Sequence, residues 1–195
     1  MAGNTSNREH IMTIAAGGIC LGLGFILSKL VIFEMPMGGS VTPASTLPII
    51  LFAMAFGPGW GFLVAVIFSL LQLIGGYLMT PFQVILDYIL GYAMLGLTGF
   101  AGMPSSKRLA VRNPLKRFTG ASIIKSVIFT IVAYAARWFC SVLSGVIFYA
   151  EYAPEGMNPW IYSMAYNGSF LAVDMGITIA VMIVLYFVLG GGKKE

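Results

Sequence analysis

An all-α integral membrane protein, a bundle of six transmembrane helices, is the fold class this sequence predicts, on three observations. Of the 195 residues, 58% are hydrophobic and 9% charged, with a mean hydropathy of +0.91, which is membrane composition and not that of a soluble domain. The apolar residues gather into long runs broken by Gly- and Pro-rich segments. Lysine and arginine sit at the ends of those runs, so the net charge of +4 is explained by topology better than by a nucleic-acid partner. The chain reads as one transmembrane domain, 1–195, with a basic cytoplasmic loop at 103–118 inside it.

The first nine residues are polar and expected in the cytoplasm. Residues 11–33 then form an apolar run long enough to cross about 30 Å of hydrocarbon. No small-residue cleavage site follows it, so it is expected to remain as a span and not to act as a signal peptide. Gly17, Gly18, Gly22 and Gly24 give this helix a nearly bare face for close helix approach, either within the protein or on a partner subunit. A turn-rich loop from Phe33 to Pro43 leads to a short second helix over 45–56, ended by Gly57-Pro58-Gly59. That length is thin for a full span. Helices over 60–77 and 82–100 follow, separated at Gly75-Gly76 and Pro81.

Lys107, Arg108, Arg112, Lys116 and Arg117 then make the one strongly basic segment, which the positive-inside rule puts in the cytoplasm. The last two helices cover 119–148 and 160–189, with Lys193 and Lys194 after them. Pro154 and Pro159 stop helix on either side of Glu155-Gly156. Six spans with both termini inside leave the outer loops with Glu34, Glu151 and Glu155 and no Lys or Arg, so charge and helix count agree. Cys20 and Cys140 lie in apolar runs without metal-ligand spacing and read as small buried hydrophobes; no metal and no cofactor is expected.

Polar groups inside the helices are placed by depth at about 1.5 Å per residue. Asp87, Asn167 and Ser141 fall about 8, 10 and 12 Å below the outer surface on three different helices. Tyr77, Tyr88, Tyr149 and Tyr162 lie at or above that level. This predicts a small pocket open to the outside, with an aromatic rim and a polar floor. A tyrosine or tryptophan near 149–162 is also what an interfacial belt requires, but Asn167 fits a belt poorly. Asp87 reads either as a carboxylate satisfied by neighbouring helix groups or as the anchor for a cationic aromatic ligand, held by charge-assisted hydrogen bonds and by stacking. Deeper, Arg137 and Asp174 fall at one level and could pair, a structural ion pair being favoured over a ligand site, and Lys29 and Lys125 can snorkel from helix ends.

The residues Met35-Pro36, Gly38-Gly39-Ser40-Val41-Thr42, Leu86-Asp87-Tyr88, Arg137 with Phe139, Gly145-Val146, Tyr152-Ala153-Pro154-Glu155-Gly156-Met157 with Pro159 and Tyr162-Ser163, and Tyr166-Asn167-Gly168-Ser169 carry a resemblance over nearly the whole chain. It resembles the thiamine-specific substrate-binding subunit (S-component) of energy-coupling factor (ECF) transporters. The resemblance implies a membrane-embedded vitamin-binding subunit that docks on a transmembrane coupling subunit and two ATPases. It implies thiamine contacts at Tyr77, Asp87, Tyr88, Tyr149, Tyr162 and Asn167, and a coupling face at Gly18 and Gly22. Ser141 stands where a histidine is expected, Tyr149 where a tryptophan is, Asp87 where a glutamate is common, and the glycine pair replaces alanines. A thiamine precursor or a related pyrimidine or thiazole compound is therefore the alternative ligand, and an assembly subunit without a ligand the more distant alternative.

Catalysis is not expected. The single histidine, His10, lies in the N-terminal segment, and neither a Gly-x-Ser-x-Gly nor a His-Glu-x-x-His pattern occurs. Gly190-Gly191-Gly192-Lys193-Lys194 lacks the spacing and the Ser/Thr of a phosphate loop, so ATP hydrolysis would fall to partner chains. The two halves do not look alike, against an autonomous secondary transporter.

Overall fold

The structure, a computed structural model, describes residues 2–36 and 38–192. Met37 of the loop motif and Lys193 and Lys194, expected at the inner surface, lie outside the described residues. Helix α1 runs Ala2–Ser28, so the polar N-terminal segment continues the helix instead of preceding it. It stops short of residue 33, and at its end the Ser28 hydroxyl lies 2.7 Å from Phe25 O and 2.9 Å from Gln72 Oε1.

The loop expected at 33–43 contains a two-residue antiparallel pairing, β1 Phe33–Glu34 with β2 Ser40–Val41. Gly38 and Gly39 take φ of +85° and +92°, which only glycine adopts without strain. A Cβ on Gly39 would stand 2.6 Å from the Phe170 ring, so the hairpin tip lies directly on the last helix.

Helix α2, Leu47–Phe56, is short at 10 residues, or about 15 Å. Eight of those residues are buried, which explains why it is apolar all round: it is the centre of the bundle and not a lipid-facing span. Phe52, Ile49, Ile50 and Met54 meet Val64 and Phe68 of α3, Pro58–Gln72. In lipid such packing draws on close contact more than on exclusion of water. Helix α3 ends at Gln72, earlier than expected, and residues 73–80 run back as turn and extended chain with Gly75 at φ +79°.

Helix α4 is continuous over Pro81–Ala101 but irregular: a first α turn, a π segment Ile85–Leu90, a short α stretch and a 3-10 end from Met94. Two short helices, α5 Ser105–Ala110 and α6 Pro114–Thr119, form the basic segment. Helices α7, Ile123–Phe148, and α8, Pro159–Val188, are long, at 26 and 30 residues, and the connection between them includes a 3-10 turn at Ala150–Tyr152. Pro159 closes the expected loop by starting α8, one residue before the helix expected from 160. It sits in the first turn, where its missing N–H costs nothing, and Asn158 caps the turn by accepting from Trp160 N at 2.8 Å.

Four helices, α1, α4, α7 and α8, are long and apolar enough to cross a membrane; α2 and α3 are shorter apolar partners. The six expected helices are thus present, with the central pair compressed. The N-terminal end of α1 and the basic segment meet at one end of the bundle. Arg117, fully buried, grips Glu9 through both guanidinium nitrogens at 2.6 and 2.8 Å and lies 5.3 Å from the Phe56 ring.

Candidate functional site

At the opposite end, the segments 29–46 and 73–80 and the outer ends of α4, α7 and α8 surround a cavity of about 840 Å³, within the range of small-molecule sites. Tyr77, Asp87, Tyr88, Ser141, Tyr149, Tyr162 and Asn167 all line it. They come from α4, α7, α8 and the 73–80 connection, so the shared depth estimated along separate helices corresponds to a shared space.

Asp87 and Tyr88 both lie on the π segment of α4. A π turn carries one more residue than an α turn, which swings its side chains away from the regular helical stripe, and such turns recur where a helix serves a site. Oδ2 of Asp87 accepts from Gln83 Nε2 at 2.8 Å and from Ser144 Oγ at 2.7 Å, and the Ser141 hydroxyl also reaches the carboxylate. The Tyr88 hydroxyl donates to Tyr77 O at 3.3 Å, fixing the 73–80 connection to α4. Gly76 permits this approach, since a Cβ there would stand 2.6 Å from the Tyr88 hydroxyl.

The aromatic groups form two clusters. Tyr77, Tyr149 and Tyr152 follow one another with ring centroids 6.2 and 6.1 Å apart, and Tyr162 and Tyr166 stand 5.8 Å apart on α8. Tyr166 donates to Gly38 O at 3.1 Å, which joins the hairpin to α8. Asn167 presents Nδ2 to three acceptors, Ser163 O at 3.0 Å, Ser163 Oγ at 3.2 Å and Ser141 O at 3.3 Å. Two of these are carbonyls, so the nitrogen must face them and the amide oxygen is left for another donor.

One expectation is corrected here. Arg137 and Asp174 both line the cavity but do not pair: among the described residues the ion pair within 4 Å is Arg117 with Glu9. Asp174 is instead satisfied by Thr42, through N at 3.2 Å and Oγ1 at 3.0 Å, and by the Tyr134 hydroxyl at 2.7 Å. Arg137 places its guanidinium carbon over the Tyr92 ring, 4.0 Å from the centroid. Lys29, exposed past the end of α1, donates to Ile74 O at 2.6 Å and lines the cavity. Lys125 is exposed in the first turn of α7, as a snorkelling residue would be.

Ser144 is the residue that reading the sequence passed over; Gln83 was expected only as a neighbour that satisfies Asp87, Glu34 only as an outer-loop charge and Thr42 only as part of the loop motif. Thr80-x-x-Gln83 is a helix-start pattern, and Gln83 stands four residues before Asp87, so that one signal was visible. Ser144 had none, because nothing local says which face of α7 meets α4. The cavity wall carries three carboxylates, Glu34, Asp87 and Asp174, against Lys29 and Arg137, so it favours a ligand with positive charge. The glycines of α1 divide between two faces. Gly17 and Gly24 pack inward, a Cβ on Gly24 meeting the Phe68 ring and Ser45 O at 3.0 Å, while Gly18 and Gly22 are exposed with nothing within 4 Å.

A multi-pass helical membrane protein with a polar, tyrosine-lined cavity at one end of its bundle belongs to the class of membrane solute-binding proteins. Residues 14–190 match the family model described as Thiamine transporter protein (Thia_YuaJ), and the chain belongs to that family. It is similar to the thiamine transporter ThiT of Bacillus subtilis (strain 168), at 34% identity over 180 residues, covering 90% of this chain and 86% of that one. ThiT of Lacticaseibacillus paracasei is 32% identical over 146 residues, covering 71% and 69%. A solved structure of ThiT from Listeria monocytogenes shares the fold at 19% identity, with a TM-score of 0.68 over 94% of this chain and 96% of that one. The family is one of transporters, not of catalysts.

Proposed function

We propose that this chain is the thiamine-binding S-component of an ECF uptake complex, taking the vitamin from the outer side of the cell membrane with both of its own termini in the cytoplasm. The observation that carries the reading is the convergence of Tyr77, Asp87, Tyr88, Ser141, Tyr149, Tyr162 and Asn167 on one cavity whose walls hold an excess of negative charge. Thiamine has a cationic thiazolium ring and an aminopyrimidine. The tyrosines offer ring faces for both, Asp87 a carboxylate for charge-assisted hydrogen bonds, and the Asn167 amide oxygen an acceptor for the amino group. The exposed Gly18 and Gly22 give a bare strip on α1, suited to close approach by the helices of a coupling subunit, with two ATPase subunits supplying the energy.

Calorimetry on the purified chain tests the reading. Thiamine should bind without any ATPase present, and Asp87→Asn, which keeps shape and removes charge, should weaken it by about 1.5–3 kcal/mol. Unchanged affinity would return Asp87 to a purely structural role. Intrinsic tryptophan fluorescence is the poorer readout, because Trp60, Trp138 and Trp160 all stand outside the cavity wall.

A further inference from the structure

Asp87 does not choose its own orientation. Gln83 is 2% exposed and Ser144 fully buried, and both give their donor to the same oxygen, Oδ2. The Gln83 amide is itself held from the other side: Oε1 accepts from Met79 N at 3.2 Å, and Nε2 also reaches Tyr77 O at 3.4 Å. Its backbone N–H donates to the Thr80 hydroxyl at 3.1 Å. One buried side chain therefore touches the 77–80 connection and the carboxylate together. Water cannot replace it there without space, and a buried carboxylate short of donors is costly, so the arrangement is rigid.

We infer that Gln83 and Ser144 are positioning residues for ligand binding: by committing Oδ2 of Asp87 they fix the carboxylate in the cavity wall, and Gln83 holds the Tyr77 backbone and that carboxylate in fixed relation. This rests on the reading of Asp87 as the ligand anchor. The ligand class it selects is a flat cationic heterocycle, stacked at Tyr77 while its donor meets the Asp87 carboxylate. Ser144 comes from α7, 57 residues away in sequence, so the clamp also sets the separation of α4 and α7 at the site.

The test is a double-mutant cycle on the full-length purified chain, with thiamine as the titrant and calorimetry as the readout. Gln83→Met keeps length and burial and removes the donor; it should weaken thiamine about tenfold in the parent and change it by less than about twofold in an Asp87→Asn background, because coupled residues do not add. Equal fold-losses in both backgrounds mean general loosening and overturn the inference, as does no loss in either. Thiamine binding undiminished by Asp87→Asn alone overturns the anchor reading and leaves Gln83 nothing to orient, a result distinct from the additive one. Should Gln83→Met not yield folded protein, Ser144→Ala run through the same cycle gives the same discrimination, with Ser144→Thr expected to restore the parent affinity.

Discussion

Tyr134 of α7 donates to Oδ2 of Asp174 on α8 at 2.7 Å, and the oxygen on the other side of that carboxylate holds Thr42 through both its N–H and its hydroxyl. The same Tyr134 hydroxyl lies 2.7 Å from Thr46 Oγ1 and 3.1 Å from Thr178 Oγ1. A loop that sequence places at the membrane surface is thereby fastened into the bundle, and it forms one wall of the cavity.

Asp174→Ala should therefore act twice. It leaves the Thr42 N–H buried without its acceptor, while the Tyr134 and Thr42 hydroxyls fall back on Thr46, Thr178 and Ser45, for a loss of about 1–3 kcal/mol in detergent stability. It also frees the 38–45 wall, so the affinity of the folded fraction for thiamine should fall. Melting curves with and without ligand separate the two effects, and an unchanged melting temperature would mean that the network relaxes at no cost.

The Glu9–Arg117 pair predicts the opposite pattern. Glu9→Ala strands a fully buried guanidinium and should cost about 2–3 kcal/mol, somewhat under the full value for a buried pair because the Glu9 side chain is 25% exposed. The pair lies at the end of the bundle away from the cavity. Calorimetry on the folded fraction should return the parent affinity; a large loss would show that the two ends are coupled.

The two glycine faces of α1 should respond differently. Gly18→Leu projects into open space and should leave folding and thiamine binding intact while abolishing co-purification with a coupling subunit. Gly24→Ala pushes a methyl group against the Phe68 ring and Ser45 O and should lower stability by about 1–3 kcal/mol. If Gly18→Leu impairs ligand binding as well, the exposed strip is not a separate docking face.

Ser141 and Tyr149 test ligand identity. Both are buried beside the cavity, and a serine hydroxyl fills less of it than an imidazole would. Ser141→His with Tyr149→Trp should raise thiamine affinity if thiamine is the native ligand of a roomier site. A panel of thiamine, its phosphates, hydroxymethylpyrimidine and the thiazole alcohol on both versions decides the matter; loss of a tightly bound fragment in the double variant would point to a precursor instead.

The apolar runs, their breaks and the shared depth of Asp87, Ser141 and Asn167 were determined by the sequence alone. Those properties are local: hydropathy sets which segments leave water, Gly and Pro set where helices end, and a fixed rise per residue sets depth. Only the tertiary structure decided the orientation of the polar groups. The π turn on α4 re-aims Asp87 and Tyr88, Ser144 reaches Asp87 across 57 residues, and Thr42 reaches Asp174 across 132. Arg137 and Asp174, at matching depth, went to Tyr92 and to Thr42 with Tyr134 instead of to each other. Depth is one coordinate. The rotation of each helix about its axis is the other, and in a membrane it is fixed by side-chain packing and polar partners on neighbouring helices, which no single helix's sequence contains.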